Sequence, residues 1–253
     1  PRHKSQQLRR LVLQGGMAKS IADRLDSLDW QQLAGQLESG GHAHTGPLLS
    51  ADECAGLIAL YGQEQYFRNT VEMARYRFGE GQYRYFDNPL PPLVADLRRA
   101  LYSHLAPIAN DMAAKLPGEA NYPPSLEAYR RICHADGQTR PTPLLLRYEA
   151  GGYNRLHQDL YGALYFPLQA VFLLSRRETD FTGGEFLLLE QQPRAQSIGQ
   201  AVTLDQGEML IFPVRERPVQ GKRGYYRAPM RHGVSRLHTG RRHTLGLIFH
   251  DAE

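Results

Sequence analysis

The stretch RYEAGGYNRLHQDLYG, residues 147–162, sets His157 and Asp159 two positions apart just after a glycine-rich bend. Alternate residues of a β-strand point to the same side, so a strand running through both would aim an imidazole and a carboxylate at one point. Two such groups hold a metal ion poorly, and a third has to come from a strand remote in sequence. In a chain with ten histidines the HxD spacing also arises by chance. HAD at His134–Asp136 is a second copy, but no strand pattern precedes it and it reads as a loop. The meaning of 147–162 therefore rests on what surrounds it.

Beyond residue 140 the chain is a series of short apolar or alternating segments: TPLLLRY, LQAVFLLS, GEFLLLEQ, AVTLDQGEMLIFP and RRHTLGLIFHD. Gly, Pro and Asp clusters separate them, the signature of an antiparallel sandwich or barrel. The first 120 residues are different. QQLRRLVLQG, SIADRLDSLDWQQLAGQLESG and SADECAGLIALYGQEQYF carry apolar residues at helical spacings, the last opening on Ser50 with Glu53 three residues on. From Pro91 to about Leu116, residues Leu93, Leu97, Leu101, Leu105, Ile108, Met112 and Leu116 form one apolar stripe, with a kink expected at Pro107.

Helices first and strands second predict an α+β fold with N-terminal helices packed on one side of a β-sandwich. A jelly roll, or double-stranded β-helix, is the leading form, because it keeps a cavity where inward polar side chains converge. Gly41 and Gly46 around HAHTGP mark an expected linker. The predicted organisation is an N-terminal helical extension over 1–45 and a main domain over 46–253, with helical support over 46–135 and the jelly-roll core over 136–253.

With 253 residues, 42% hydrophobic and 22% charged, the chain can bury one good-sized core. It lacks an apolar run of about 18 residues and a basic segment followed by an apolar one at its start, so no membrane association is expected and a soluble, cytoplasmic protein is. It begins at Pro1 without a methionine, so a targeting signal ahead of it would not show. Cys54 and Cys133 are too few and too isolated for a disulfide framework or a metal knuckle and read as free thiols. Charge is uneven: residues 215–242 hold nine Lys or Arg against one acid, Glu216, leaving the remainder at about −4.

Candidates for the third ligand are His232, His238, His243 and His250. His232 stands out because HGVSRLHTGRRHTLGL places Gly240 eight and Arg242 ten residues after it, ahead of an apolar strand. The other three read as surface or neighbouring residues.

In these elements the sequence resembles the Fe(II)/2-oxoglutarate-dependent dioxygenases, whose members carry HxD, a distal histidine and then a basic residue. His157, Asp159, His232 and Arg242 match in order and spacing. Arg147–Tyr148 ahead of the first histidine and GEMLIFP extend the likeness, which covers residues 140–251. The resemblance implies Fe(II) held by His157, Asp159 and His232, with 2-oxoglutarate and O2 as co-substrates. Two imidazoles and one carboxylate suit Fe(II) with open positions. Arg242 would meet the far carboxylate of the keto acid, its planar fork being suited to two parallel bonds, and Tyr148 and Thr244 would add hydroxyls. Arg241 is the alternative anchor, since only one of the two adjacent arginines can face inward.

The substrate is open between classes. VRERPVQGKRGYYRAPMRHG interleaves arginines with aromatics, and Arg223, Tyr225, Tyr226 and Arg227 are candidates to hold phosphates and stack bases. RYEAGGYNRLHQD resembles AlkB-type alkylation-repair enzymes, and a bacterial group of such oxygenases has been proposed to act on nucleic acids. These features imply hydroxylation or oxidative demethylation of a base in DNA or RNA. The distal half looks closer to the prolyl-4-hydroxylases, which implies an acidic or proline-containing peptide instead. A non-catalytic iron or 2-oxoglutarate sensor is a third reading, against which the intact set of residues argues.

Overall fold

The computed structural model describes residues 19–116 and 121–253, and the helix expected over QQLRRLVLQG (6–15) lies outside them. Capping side chains decide where the first helices start. SIADRLDSLDWQQLAGQLESG forms two helices rather than one, α1 (Ile21–Asp26) and α2 (Trp30–Gly40). Asp29 interrupts it by accepting the Gln32 N–H at 2.9 Å, which makes Asp29 the cap of a new helix. Ser50 and Glu53 form the expected reciprocal box at the start of α3 (Ala51–Leu60). The apolar stripe becomes α4 (Pro92–Ala114), which runs on through Pro107 without ending there, and α5 (Leu126–Ala135) follows.

The linker expected around HAHTGP is instead a strand, β1 (Ala43–Pro47), and the boundary placed between 45 and 46 falls inside it. The segment expected to be helical support also contains β2 (Phe67–Glu72), β3 (Gly79–Glu80) and β4 (Gln82–Phe86). The remaining strands are β5 (Leu144–Glu149), β6 (Tyr153–His157), β7 (Leu168–Leu173), β8 (Phe181–Gly183) and β9 (Phe186–Glu190). After them come β10 (Ile198–Val202), β11 (Glu208–Pro213), β12 (Glu216–Gly221), β13 (Gly224–Val234) and β14 (Leu237–Leu247). AVTLDQGEMLIFP thus supplies two strands, one to each sheet, with Gly207 at φ 82° in the turn between them.

One sheet has eight strands in the order β1-β11-β7-β14-β5-β4-β2, with β8 attached to β14; the other has six, β10-β9-β13-β6-β3, with β12 attached to β13. The pairings between these strands are antiparallel. The period of two sorts the eight-stranded sheet's residues between two cores. Ala170, Phe172, Met209, Ile211, Leu245 and Leu247 face outward and pack with Leu97, Leu101 and Leu105 of α4. Their neighbours Val171, Leu173, Leu210 and Phe212 face inward and pack with Phe186, Leu188, Met230 and Val234 of the second sheet. The fold is the expected helix-backed jelly roll. Cys54 and Cys133 are buried free thiols.

A charged knot fastens the helical layer to the end of β14. Arg98 of α4, 1% exposed, donates to the Ile248 and Phe249 carbonyls and to Asp251 Oδ1 at 2.8 Å. Arg130 and His134 of α5 reach the other Asp251 oxygen at 3.0 and 2.8 Å. His134 is therefore in the last turn of a helix, and Asp136 caps it, where the sequence suggested a loop. Burial alone would raise the Asp251 carboxyl, but Arg98, His134 and Arg130 hold it below its ordinary value.

Removing one partner from such a buried set is costly, so Asp251→Ala should lower unfolding free energy by about 3–5 kcal/mol in chemical denaturation. Because the folded carboxyl is depressed, its contribution is fully present above the ordinary carboxylate range and is lost as pH falls below that range through the lower folded-state value. Stability of the parent protein should accordingly decline on acidification more steeply than that of Asp251→Asn.

Candidate metal and co-substrate site

Register brings the two histidines together. In the pairing of β6 with β13, His157 lies directly opposite His232, and their ring centroids are 4.2 Å apart. Cross-strand neighbours of this kind share one face of the sheet. Asp159 completes the group, with Oδ2 3.2 Å from His232 Nε2 and Oδ1 3.5 Å from His157 Nε2. One donor atom from each residue lies within 4.8 Å of the others, and among the described residues this is the group able to hold a metal ion. The strand does not continue through both members of the HxD pair, however. β6 ends at His157, because Gln158 turns away and its side-chain amide donates to the Arg215 and Met230 carbonyls at 2.7 and 2.8 Å.

The donor set fits a divalent cation. His157 Nδ1 lies 2.7 Å from the Arg155 carbonyl, which favours the tautomer whose Nε2 lone pair faces the group. The Tyr161 hydroxyl donates to Asp159 Oδ1 at 2.8 Å and itself accepts from the Tyr85 hydroxyl at 2.9 Å. His232 is wedged among aromatic rings, parallel to Phe186 and 4.9 Å from Phe212. Burial opposes charge on His157, yet Asp159 carries its pKa upward. Burial and the charge of His157 push His232 the other way. For Asp159, burial is outweighed by the two imidazoles, which hold the carboxyl well below its usual range.

Arg242 lies on β14, whose pairing moves from β8 to β5 at Gly240. There a positive φ of 76° and the Asp180 carbonyl, 1.9 Å from where a Cβ would stand, leave room for glycine only. Arg242 is 2% exposed, its Nε has no hydrogen-bond partner, and among the described residues no carboxylate pairs with its guanidinium. Burial pulls its pKa down to about 10. Arg241 points outward and pairs with Glu149 at 2.9 Å, so the inward member of the pair is Arg242. Thr244 shares the Arg242 face, and the Tyr148 hydroxyl accepts from Asn154 Nδ2 at 3.2 Å. His157, Asp159, His232, Arg242, Tyr148, Thr244 and Asn154 all line one cavity of about 430 Å³ between the sheets.

A family model described as "Oxygenase, catalysing oxidative methylation of damaged DNA" matches residues 81–252, a span that includes all of these positions. The chain belongs to this oxygenase family. An uncharacterized protein of Mycobacterium tuberculosis, recorded for strains CDC 1551 / Oshkosh and H37Rv, is 53% identical over 167 residues, or 66% of this chain and 72% of that protein. Among solved structures, a Trichoplax adhaerens prolyl hydroxylase in complex with a hypoxia inducible factor peptide fragment superposes with a TM-score of 0.55 at 13% identity, covering 93% of this chain and 94% of the other. The non-heme alpha ketoglutarate dependent epimerase SnoN from nogalamycin biosynthesis gives 0.52 at 16% identity, over 86% and 80%. At such identities the two share the fold of this oxygenase.

The four basic and aromatic candidates of this oxygenase are not part of the cavity lining. Arg223, Tyr225, Tyr226 and Arg227 sit on the β12–β13 hairpin, Arg223 in its turn. Tyr226 is six residues from His232 along β13, about 20 Å at strand rise. Arg227 pairs with Glu216 at 2.6 Å, while Tyr225 lies under Lys115 of the helical layer with its hydroxyl toward Glu38. His243 and His250 are buried outside the metal-ligating group, against Tyr61 and the Phe166 N–H, and His238 is exposed. Tyr85, Tyr161 and Asn154 escaped the sequence reading, although Tyr161 stands two residues after Asp159 in HQDLY.

Partners of ligating carboxylates commonly change metal affinity by tenfold or more. Tyr161→Phe should thus weaken Fe(II) binding roughly tenfold under anaerobic titration. Asp159→Ala should abolish it.

Proposed function

We propose that the protein is an Fe(II)- and 2-oxoglutarate-dependent dioxygenase that hydroxylates or oxidatively demethylates a nucleic-acid base. The observation carrying this reading is Arg242, a buried guanidinium with no carboxylate in salt-bridge contact that lines the same cavity as the His157–Asp159–His232 group. A buried charge left unpaired is unfavourable, and a carboxylate entering the cavity would relieve it. 2-Oxoglutarate, which carries two carboxylates, would place one of them against Arg242.

His157, Asp159 and His232 would hold Fe(II) on one side, leaving positions open toward the cavity. When bound, the iron and keto acid supply an oxidation by O2 that inserts one oxygen atom into a C–H bond and releases succinate and CO2. The chain's own residues bind and orient. Tyr161 fixes the Asp159 carboxylate, and Arg242, with Thr244 and Tyr148 beside it in the cavity lining, would hold the keto acid. Phe186 and Phe212 pack beside His232 and keep water from that side. Support for a nucleic-acid substrate comes from the description of the family, since Arg223, Tyr225, Tyr226 and Arg227 of the β12–β13 hairpin are not part of the cavity lining. In the described residues no helix is long and apolar enough to cross a membrane.

The iron-loaded protein should release succinate from 2-oxoglutarate and change the mass of a methylated oligonucleotide, by gain of oxygen or loss of the methyl group. Oxygen added to a proline-containing peptide alone would overturn the substrate reading, and absence of succinate with every substrate would overturn the enzyme. Arg242→Ala should raise the 2-oxoglutarate concentration needed for half-maximal succinate release by a hundredfold or more, corresponding to about 3 kcal/mol for losing a buried charged contact.

A further inference from the structure

The cavity mouth is bordered by a segment that precedes the family-matched span. Met73–Tyr76 form one 3-10 turn, Arg77 takes a left-handed conformation at φ 60°, and β3 follows at Gly79. The segment is held on both sides. Met73 is fully buried in the core between the sheets, the Phe78 carbonyl accepts the Arg155 N–H at 2.8 Å, and Gly79 pairs with Asn154. It is thus clamped to β6, the strand that ends in His157. Arg77, Phe78, Arg155 and Leu156 belong to the cavity lining.

On this rigid base two large rings face solvent. Tyr76 is 60% and Phe78 46% exposed, and they stack with centroids 5.5 Å apart and planes 20° from parallel. Arg75, Arg77, Arg155 and Arg231 are also exposed, and none has an ion pair among the described residues. Neighbouring aromatics left in water mark an interaction site more often than an oversight of packing. Flat faces interleaved with unpaired guanidinium groups match a ligand that alternates flat rings with anions. A peptide carboxylate would satisfy the arginines but offers no plane for the ring pair.

Resting on the nucleic-acid reading above, we propose that Tyr76 and Phe78 stack a base adjoining the target base of a single-stranded nucleic acid, whose phosphates lie on Arg75, Arg77, Arg155 and Arg231. A base that stacks on protein has left its own strand partner, so single strands should bind better than duplexes.

The test is fluorescence anisotropy of the full chain with a labelled single-stranded oligonucleotide, the matching duplex and an acidic proline-containing peptide, across a series of salt concentrations. The oligonucleotide should bind best. Tyr76→Ala and Phe78→Ala should each weaken it roughly tenfold, whereas Tyr76→Phe and Phe78→Trp keep affinity because they keep a ring. Arg77→Asn, which tolerates the left-handed backbone, should reduce the salt slope by about 0.7. Arg223→Ala, on the far hairpin, should change neither value. Unaltered single-strand affinity in the two alanine variants would overturn the platform and leave the nucleic-acid reading standing. Failure of the parent chain to bind any oligonucleotide would overturn both, and tighter binding of the peptide through the same residues would replace the occupant.

Discussion

The pairing of β6 with β13 is the constraint on which the site depends. It sets His157 across from His232 although 75 positions separate them in the chain. A slip of one residue would turn one imidazole to the opposite face of the sheet and dissolve the cluster. The register is held from several directions: β13 also pairs with β9, Gln158 is tied to backbone carbonyls of the β12–β13 region, and β3 closes the other side of β6. The two histidines therefore need no loop to bring them together, and Asp159 follows two residues after the strand end. Their opposition is a property of the sheet.

Charge is placed in the cavity in a way that only guests can complete. A carboxylate facing two imidazoles invites a cation, and a buried guanidinium with no acid in contact invites an anion. The hydroxyl chain from Tyr85 through Tyr161 to Asp159 adds direction, since a carboxylate that accepts one bond on a given oxygen presents its remaining lone pairs along fewer lines. Folding tolerates these unfinished contacts because two hydrophobic cores, one between the sheets and one under the helices, supply the stabilising burial around them.

The helix-backed jelly roll and the residues His157, Asp159, His232 and Arg242 were legible in the sequence because each rests on a short-range regularity: apolar periodicity, an i to i+2 spacing, or an ordered set of motifs. Choosing between Arg241 and Arg242 required the sheet, since adjacent residues differ only in the face they take. The helix break at Asp29 and the strand within HAHTGP were hidden for opposite reasons. Asp29 acts through one capping bond that the apolar pattern does not register, whereas β1 exists because β11 offers it an edge. The basic hairpin misled because composition does not say which way a segment folds. Glu216 neutralises Arg227 and the helical layer takes up Tyr225, while the exposed arginines and aromatics at 75–78 were passed over inside a region read as helical.

β14 carries Arg242 at its middle, and beyond its C-terminal end Asp251 is gripped by Arg98 and Arg130, which belong to two different helices. The helical layer is therefore more than a cover for the sheet's greasy back. It tethers the tail of the ribbon on which Arg242 rides. A minimal enzyme trimmed to the two sheets would leave that aspartate stranded in an apolar surface and let the ribbon fray toward the cavity, so the catalytic unit has to be counted as sheets and helices together.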